Sequence, residues 1–408
     1  MPRFPCRRTT ILATVCTVLL AGCAPFAMQA RTPFDSTRLR EIDRAITTDI
    51  GARKLPGAVY RLERNGVVYE KGYGQFTYDP ASAVVTSQTV FDAASLTKVL
   101  ATAPSVLLLV EQGRLALDAP LTRYFPACAN GGKEMITVRQ LLTHSSGLPA
   151  GLPAQPGWQG SEAAHLLACA QIVTHAPGTY FRYSDINFIL LGQLVERVAG
   201  MPLARFAQER IFRPLGMADT GYLPLARMPA GAIAPTQRGA DVVSTPHGDL
   251  APGQLLQGVV HDPTVRRMGG VAGSAGVFTT ARDVARFARM LVGEGVLDGG
   301  RLLSKESVRL LTTAQSAPGL ALRGMGMDID SPYAQRPRGT LFPVGSYGHT
   351  GFTGCILWVD PGSRTFYVFL SNRVYPDDKS NVLALYTQLG TLSAQAAQAG
   401  KTAPSTPY

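Results

Sequence analysis

Apolar residues recur along this chain with two different spacings, and these spacings predict where its helices and strands lie. A helical spacing runs through TRLREIDRAITTDIGA and ends at Gly51, and two β-rich runs follow that are joined at Asn65-Gly66. Both residues of that pair tolerate positive φ, so the pair predicts a β-hairpin. A mostly apolar run then extends from Ser95 to Gln112. It predicts a buried helix that Pro104 can kink and Gly113 can end.

Helical patterns dominate the middle of the chain, and strand patterns close it. The segments TVRQLLTH, NFILLGQLVERVAG and PLARFAQERIFRPLGM predict amphipathic helices, and Thr280 and Asp283 have capping-box spacing at the start of a later one. Near the C-terminus, GHTGFTGCILWVD and RTFYVFLSN are β-rich, and the Pro-Gly-Ser sequence between them predicts a hairpin turn. We therefore expect an α+β fold: a central antiparallel β-sheet flanked by helices, formed by both ends of the chain, with an inserted mostly α-helical region.

The first residues carry the pattern of an export signal. Three arginines precede TILATVCTVLL, which is too short to span a membrane as a stable helix. The following LAGC resembles the lipobox of bacterial lipoproteins, so Cys23 is the expected lipid anchor and the outer membrane, facing the periplasm, the expected location. Ordinary cleavage near AMQA is the alternative, although its small-residue pattern is poor. The predicted segments are a lipoprotein signal peptide (1–22), a tether (23–35), the sheet part of the domain (36–112 and 260–396), its inserted helical part (113–259) and a flexible tail (397–408).

Composition narrows the classes of function. The chain has 408 residues, of which 46% are hydrophobic and 16% charged, as expected for a globular protein with a sizeable core. Its formal net charge is +11, of which three units belong to the signal arginines. Because the basic residues are scattered and not clustered with aromatic residues, no nucleic-acid partner is predicted.

Cysteine and histidine spacing gives no sign of a metal site. Beyond Cys23, an odd number of cysteines remains, and a disulfide between Cys128 and Cys169 with Cys355 buried in a strand is one arrangement that sequence cannot establish. The six histidines show neither HExxH nor paired-cysteine spacing. We therefore expect neither a metal ion nor a cofactor.

Ser95 and Lys98 form the one Ser-x-x-Lys sequence in the chain. One helical turn places both side chains on the same face, and the helix N-terminus supplies N–H groups and a positive dipole where an oxyanion would develop. The alternative is a capping serine beside a surface lysine. A lysine within so apolar a run favours the catalytic interpretation.

Several motifs then occur in the order typical of one family. SLTK, ITVRQLLTHSSGLP, PGTYFRYSDINFILLG, PLGMADTGY, HDPTVRRMGGVAGSAGVF and YGHTGFTG resemble successive landmarks of the serine β-lactamase/D-Ala-D-Ala carboxypeptidase (penicillin-binding protein) superfamily. More narrowly they resemble its class C-like branch, which includes esterase-type serine hydrolases. The resemblance extends from about Arg38 to Gln395, and several ordered motifs are far more specific than Ser-x-x-Lys alone.

The resemblance implies a role for each motif. Ser95 is the expected acylated nucleophile, Lys98 takes part in its activation, and Tyr183 is the expected base, provided that the charge of Lys98 stabilises its phenolate. The backbone N–H groups of Ser95 and Phe352 would form the oxyanion hole. The expected substrate-binding residues are Asp185, His349, Thr350, Gly351 and Phe352.

Two departures from the β-lactamase pattern change the expected activity. Asp185 replaces an asparagine that can donate a hydrogen bond, and should pair with Lys98 instead. His349 replaces a lysine and is largely neutral at pH 7, so it binds a substrate carboxylate more weakly. Both changes argue against efficient hydrolysis of β-lactams.

We therefore expect a serine hydrolase that cleaves an ester or amide through an acyl-enzyme, most closely a carboxylesterase acting on a small acyl ester. A peptidoglycan D,D-carboxypeptidase or endopeptidase is the alternative, and a non-catalytic lipoprotein that binds penicillin or peptidoglycan is the rival from another class.

Other polar residues in the motifs are harder to assign. His144 precedes a turn and is expected to be structural. His261 and Asp262 either line the cleft near His349 or tie a loop together. Ser274 stands where many relatives carry a histidine, which leaves its role open.

Overall fold

The computed structural model describes residues 1–2, 34–155, 157–239 and 250–398. The chain separates into two units, Met1–Thr32 and Pro33–Tyr408, and the second contains the described helices and strands. The predicted signal peptide and Cys23 lie outside the described residues, as does the predicted tail beyond 398.

This unit contains both helices and strands, with helices following one another through residues 103–207 in the middle of the chain. The described α-helices are α1 (Ser36–Gly51), α2 (Ala103–Glu111), α3 (Val138–Leu142), α4 (Ser161–Ala170), α5 (Asp185–Ala199), α6 (Leu203–Ala207), α7 (Pro263–Arg267), α8 (Ala281–Val292), α9 (Lys305–Thr312), α10 (Gln335–Arg338) and α11 (Leu383–Gln398). The described strands are β1 (Gly57–Arg64), β2 (Val67–Gly74), β3 (Phe91–Asp92), β4 (Gly221–Tyr222), β5 (Gln237–Arg238), β6 (Leu255–Leu256), β7 (Val277–Thr279), β8 (Val296–Leu297), β9 (Gly300–Arg301), β10 (Leu322–Arg323), β11 (Asp328–Asp330), β12 (Tyr347–Gly351), β13 (Cys355–Asp360) and β14 (Thr365–Ser371).

The main sheet has seven strands in the order β10-β11-β12-β13-β14-β1-β2, and its pairings are antiparallel. Side chains alternate along its central strands, as the pleat requires. Trp358 and Tyr367 pack with α1 and α11 on one face, whereas Leu357 and Val368 join α8 in the core on the other. The predicted sheet from both ends of the chain, flanked by helices, is confirmed.

The hairpin predicted at Asn65-Gly66 joins β1 to β2, and both of its turn residues have positive φ, at 48° and 79°. The β-rich run GHTGFTGCILWVD, by contrast, is two strands, because a turn through Phe352 to Gly354 reverses the chain between β12 and β13. Strands β10 and β11 were not predicted, since pieces of two or three residues carry no measurable alternation.

The run from Ser95 to Gln112 is not one continuous α-helix. It begins as a 3₁₀ turn (Ala94–Leu96), continues as a π-helical turn (Lys98–Thr102), and becomes α-helical in α2, where Pro104 lies in the first turn. Proline has no N–H to donate to the preceding turn, so the change of helix type falls where the pattern allowed a kink. The stretch Ala94–Glu111 is long and apolar enough to cross a membrane, but 78% of it is buried inside the fold, as in a core helix.

Cys128 and Cys169 form a disulfide with their α-carbons 4.5 Å apart, and Cys355 is a buried free thiol on β13. His165 lies beside this bond, with its Nε2 3.6 Å from the Cys169 sulfur. Although the three side chains have the donor types of a metal site, the two sulfurs are bonded to each other. The disulfide joins the segment before α3 to the end of α4.

A buried ion cluster attaches α8 to the sheet. The Glu63 side chain on β1 is 3% exposed and accepts hydrogen bonds from Arg61 (2.9 Å) and from two nitrogens of Arg289 on α8 (2.5 and 2.9 Å). Since buried charges are tolerated only when they are paired and hydrogen-bonded, each member depends on the others.

We predict that Glu63→Ala lowers the free energy of unfolding by about 3 kcal/mol, because it leaves the buried Arg61 with one carboxylate fewer and releases Arg289. Urea unfolding followed by circular dichroism measures this. The matched control is Glu306→Ala, which removes the exposed partner of Arg309 and should leave the midpoint almost unchanged. Equal effects of the two variants would contradict the role given to the cluster.

Candidate active site

Ser95 is presented by an unusual turn. Strand β3 ends at Asp92, and the 3₁₀ turn that follows holds Ala94 at φ +45°, a conformation that non-glycine residues adopt at a cost. Ser95 is in the first turn of this short helix, where backbone N–H groups lack an acceptor within the helix. Its N–H is therefore available for an oxyanion.

Lys98 is fully buried and donates to three oxygens. Its Nζ lies 3.0 Å from Ser95 Oγ, 2.8 Å from the carbonyl oxygen of Ser274 and 2.7 Å from Asp185 Oδ1. An ammonium has three N–H donors, so all of them are used. Burial favours loss of the proton, but the neighbouring charge of Asp185 acts in the opposite direction, and the pKa of Lys98 is raised. The lysine is an ammonium in the resting site.

Tyr183 lies against Lys98, whose Nζ is 5.1 Å from the centre of the Tyr183 ring. Its pKa is raised: burial and the charge of Asp185 act upwards, and together they outweigh the lowering by Lys98. The sequence led us to expect that Lys98 would stabilise the phenolate. Lys98 does lower the pKa of Tyr183, but the net shift is upwards and Tyr183 keeps its proton near neutrality. The Tyr183–Lys98 pair must therefore lose one proton before it can take one from Ser95.

His144 packs against the ring of Tyr183. Its ring stacks on the Tyr183 ring with centres 4.4 Å apart, and its Nδ1 accepts the backbone N–H of Ser184 at 3.0 Å. Burial, together with the charges of Arg323 and Lys98, holds the pKa of His144 well below its usual value. The ring is therefore neutral near pH 7 and packs against Tyr183, the expected base.

The strand motif forms another wall. On β12, the Nδ1 of His349 donates to the carbonyl of Thr350 at 2.7 Å, which leaves a lone pair on Nε2. Burial lowers the pKa of His349 well below its usual value, and Arg323 and Lys98 lower it further. A neutral ring with a lone pair cannot donate a charged hydrogen bond to a substrate carboxylate.

Gly351 and Phe352 bring this strand to the nucleophile. A Cβ on Gly351 would lie 2.5 Å from the carbonyl oxygen of Ala93, so only glycine permits the approach. In the turn that follows, the N–H of Phe352 has no acceptor among the residues described. It is placed to act with the N–H of Ser95 as the second oxyanion donor.

A cavity of about 370 Å³ opens over Ser95, with Tyr183, His349, Thr350, Gly351 and Phe352 on its walls. Three arginines also line it: Arg323, Arg336 and Arg373. Sequence analysis singled out none of them, since arginine is frequent throughout the chain and no motif marks these positions. The carbonyl of Ser274 was missed for a different reason, because backbone atoms leave no sequence signature.

The three arginines differ in their partners. Arg323 is buried 3.6 Å from Asp328, and Arg373 is paired with Asp378 at 2.6 Å. Arg336 is exposed, and across the described parts of the chain no carboxylate bonds to it. Among the described residues, Arg336 is therefore the one arginine of the cavity without a carboxylate partner.

His261 and Asp262 lie behind the oxyanion turn. Asp262 caps α7 by accepting the N–H of Val265 at 2.9 Å, and the N–H of His261 donates to Asp92 at 2.7 Å. The His261 ring is 6.0 Å from that of Phe352, and burial lowers its pKa to about 4. The two residues tie this loop to its surroundings, and neither is among the residues that line the cavity.

Comparison with known proteins agrees with this geometry. The family described as Beta-lactamase matches residues 42–391. The chain belongs to the β-lactamase family. Proteins named "Putative D-alanyl-D-alanine carboxypeptidase" from Escherichia coli K12 and O157:H7 are 29% and 30% identical to it over 376 and 377 residues, 83% of each chain.

Solved structures share the fold of this β-lactamase-family protein. The octameric penicillin-binding protein homologue from Pyrococcus abyssi has a TM-score of 0.65 at 23% identity and covers 88% of this chain and 79% of its own. EstCE1, a hydrolase with promiscuous acyltransferase activity, has a TM-score of 0.67 at 20% identity and covers 88% and 98%. The family and its relatives identify the protein as a serine hydrolase.

The arrangement would support acyl transfer in two steps. Ser95 Oγ would attack the substrate carbonyl while its proton passes to the Tyr183–Lys98 pair, and the N–H groups of Ser95 and Phe352 would stabilise the developing oxyanion. The pair would return the proton to the leaving group. Water would then attack the acyl-enzyme, with the same pair as its base, and release Ser95.

We predict that Asp185→Asn moves the rising limb of kcat/KM to lower pH. The competent form of the pair has lost a proton, so activity rises with pH, and the charge of Asp185 raises the pKa of both Lys98 and Tyr183. Removing that charge should shift the limb by about one to three pH units. The measurement is kcat/KM against pH with a p-nitrophenyl ester.

Asp118→Asn is the control for this profile, because Asp118 is 72% exposed and bonds Arg139 at the surface. Its profile should match that of the wild type. A limb that stays in place or moves to higher pH in Asp185→Asn would show that another group limits the reaction.

Proposed function

We propose that this serine hydrolase is a D-alanyl-D-alanine carboxypeptidase, which cleaves a peptidoglycan-derived peptide next to its terminal carboxylate. The observation that carries the proposal is Arg336, which reaches the nucleophile's cavity without a carboxylate partner in the described chain. On the same helix, Arg338 is paired with Asp330 at 3.0 Å. The names of the E. coli relatives support the same activity.

The electrostatics of the cavity favour an anionic substrate over a neutral one. His349 is uncharged, so the strand motif supplies no positive charge, and Arg323 and Arg373 have carboxylates of their own. Arg336 is left to attract the carboxylate of the departing residue, with Thr350 on the adjacent wall as a hydroxyl donor. This reverses the order of the two activities that the sequence favoured.

Ester hydrolysis is the second candidate, and the apolar mouth of the cavity can accommodate its substrate. Phe352, Tyr333 and Leu383 line the cavity and remain 56%, 49% and 39% exposed. Such a rim suits an acyl chain as well as it suits a peptide. Both activities would use the same acyl-enzyme on Ser95.

We predict that Arg336→Ala raises KM about tenfold for an N-acyl peptide ending in D-Ala-D-Ala and leaves kcat nearly unchanged. The substitution removes a charge-assisted hydrogen bond that is made equally in the bound ground state and in the transition state. Release of D-alanine measures the reaction. The same peptide with a C-terminal amide should be insensitive to the substitution. Arg338→Ala, with its partner outside the cavity, is the matched control.

One outcome separates the two candidate functions, and another tests the role of Arg336. Ser95-dependent turnover of p-nitrophenyl butyrate without release of D-alanine would replace the carboxypeptidase by an esterase. Equal KM changes for the free acid and the amide would refute the role of Arg336 while leaving the peptidase activity in place. Ser95→Ala should abolish every reaction.

We also propose that the protein is exported and lipid-anchored at Cys23 in the bacterial outer membrane, facing the periplasm. The support is the LAGC sequence behind a short apolar run. The Cys128–Cys169 disulfide is typical of an oxidising compartment. A peptidoglycan-derived substrate would be at hand there.

Expression in a bacterial host tests the anchor. We predict that Cys23→Ala abolishes incorporation of an alkyne-labelled fatty acid and removes the protein from the membrane fraction. Cys16→Ala, which alters a cysteine within the signal, should be labelled like the wild type. Labelling that persists in Cys23→Ala would exclude this anchor.

A further inference from the structure

Asp92 is a buried carboxylate that the acylation mechanism does not use. It is 2% exposed, lies at the end of β3 and precedes Ser95 by three residues. Its Oδ1 accepts the N–H of Ala94 at 2.8 Å, and its Oδ2 accepts the N–H of His261 at 2.7 Å. Its backbone carbonyl accepts the hydroxyl of Thr353 at 2.7 Å. Asp92 therefore bonds its own turn and two segments that are distant in the sequence.

Two of these attachments, at Ala94 and Thr353, lie next to the residues expected to contact the reacting atoms. Ala94 is the positive-φ residue directly before Ser95, and Thr353 directly follows Phe352. The two oxyanion donors thus belong to turns that share Asp92 as a common support. His261 contributes a third attachment, and its ring faces that of Phe352.

We propose that Asp92 is a positioning residue that holds the Ser95 turn and the Phe352 turn at the separation that oxyanion binding requires. The bond to Ala94 stabilises the strained backbone before the nucleophile, and the bond from Thr353 fixes the strand turn to the same point. Misplacement of an oxyanion donor by about 1 Å is enough to slow an enzyme strongly.

The chemistry of the carboxylate explains why aspartate is needed. Burial raises the pKa of Asp92 to about 6, and the N–H groups of His261 and Ala94 oppose that rise, so the group is ionised at neutral pH. Both of its oxygens then only accept hydrogen bonds. An amide in its place would turn an NH₂ group towards one of the two N–H donors, and one attachment would be lost.

A merely structural role can be separated from positioning. Asp283 is a comparable carboxylate, 3% exposed, that accepts the N–H of Asp219 and the hydroxyl of Thr220, both at 2.8 Å. It does not line the cavity. Asp283→Asn therefore serves as the matched control for Asp92→Asn.

The experiment measures phosphonylation of Ser95 by a fluorophosphonate probe, together with the thermal unfolding midpoint. Asp92→Asn and Thr353→Val should lower the maximal labelling rate roughly a hundredfold, with little change in the half-saturating probe concentration. Thr353→Ser keeps the hydroxyl and should restore most of the rate. Asp283→Asn should lower the midpoint but label like the wild type.

Backbone hydrogen exchange gives a readout that does not need activity. In Thr353→Val, peptides covering residues 93–96 and 351–354 should exchange faster, while α1 and α11 are unchanged. Wild-type labelling and exchange in Asp92→Asn and Thr353→Val would overturn the proposal. So would a rate loss in Asp283→Asn equal to that in Asp92→Asn. If the wild type does not react with the probe, the nucleophile assignment fails, and the exchange result alone decides on Asp92.

Discussion

Burial of the Lys98 ammonium is the constraint on which the arrangement of the site depends. A charge removed from water is tolerated only when every donor has an acceptor, and the three acceptors come from three parts of the chain. Ser95 is on the same turn, Asp185 begins α5, and the carbonyl of Ser274 belongs to the loop before β7. That loop can reach the lysine because Gly273 has no side chain. Any side chain at this position would overlap the backbone of α5. The two sheet-forming ends and the inserted helices therefore meet at one nitrogen.

The same charge sets the resting state of the base. Asp185 stabilises the ammonium and opposes the phenolate, so it holds the Tyr183–Lys98 pair in its protonated, less reactive form. An asparagine at this position, as in the β-lactamase pattern, would carry no charge and could donate to a substrate carbonyl. Asp185 therefore stabilises the buried lysine, but it also makes the deprotonated form of the pair less populated at neutral pH.

Local sequence was sufficient for part of this site. Ser95, Lys98, Tyr183 and the β12 motif carry recognisable patterns, and the Asn65-Gly66 pair defines its hairpin through backbone conformation alone. Arg336, Arg323 and the Ser274 carbonyl could not be predicted, because their roles come from contacts between distant segments. Asp92 lies between these cases. Its position three residues before Ser95 is visible in the sequence, but its bonds to His261 and Thr353 require the fold.

The placement of positive charge within the cavity follows from burial as well. Arg323 lies beneath the strand motif, and its charge helps to keep both His349 and His144 neutral. Lys98 and Arg323 are already buried near that wall. A third buried cation there would add repulsion without a further carboxylate to offset it. The carboxylate of the proposed substrate would then be recognised from the rim, where Arg336 on α10 remains hydrated and less costly to keep charged. A ligand whose carboxylate lies against the strand motif would meet the neutral His349 ring and, among the described residues, only an arginine that is already paired with Asp328.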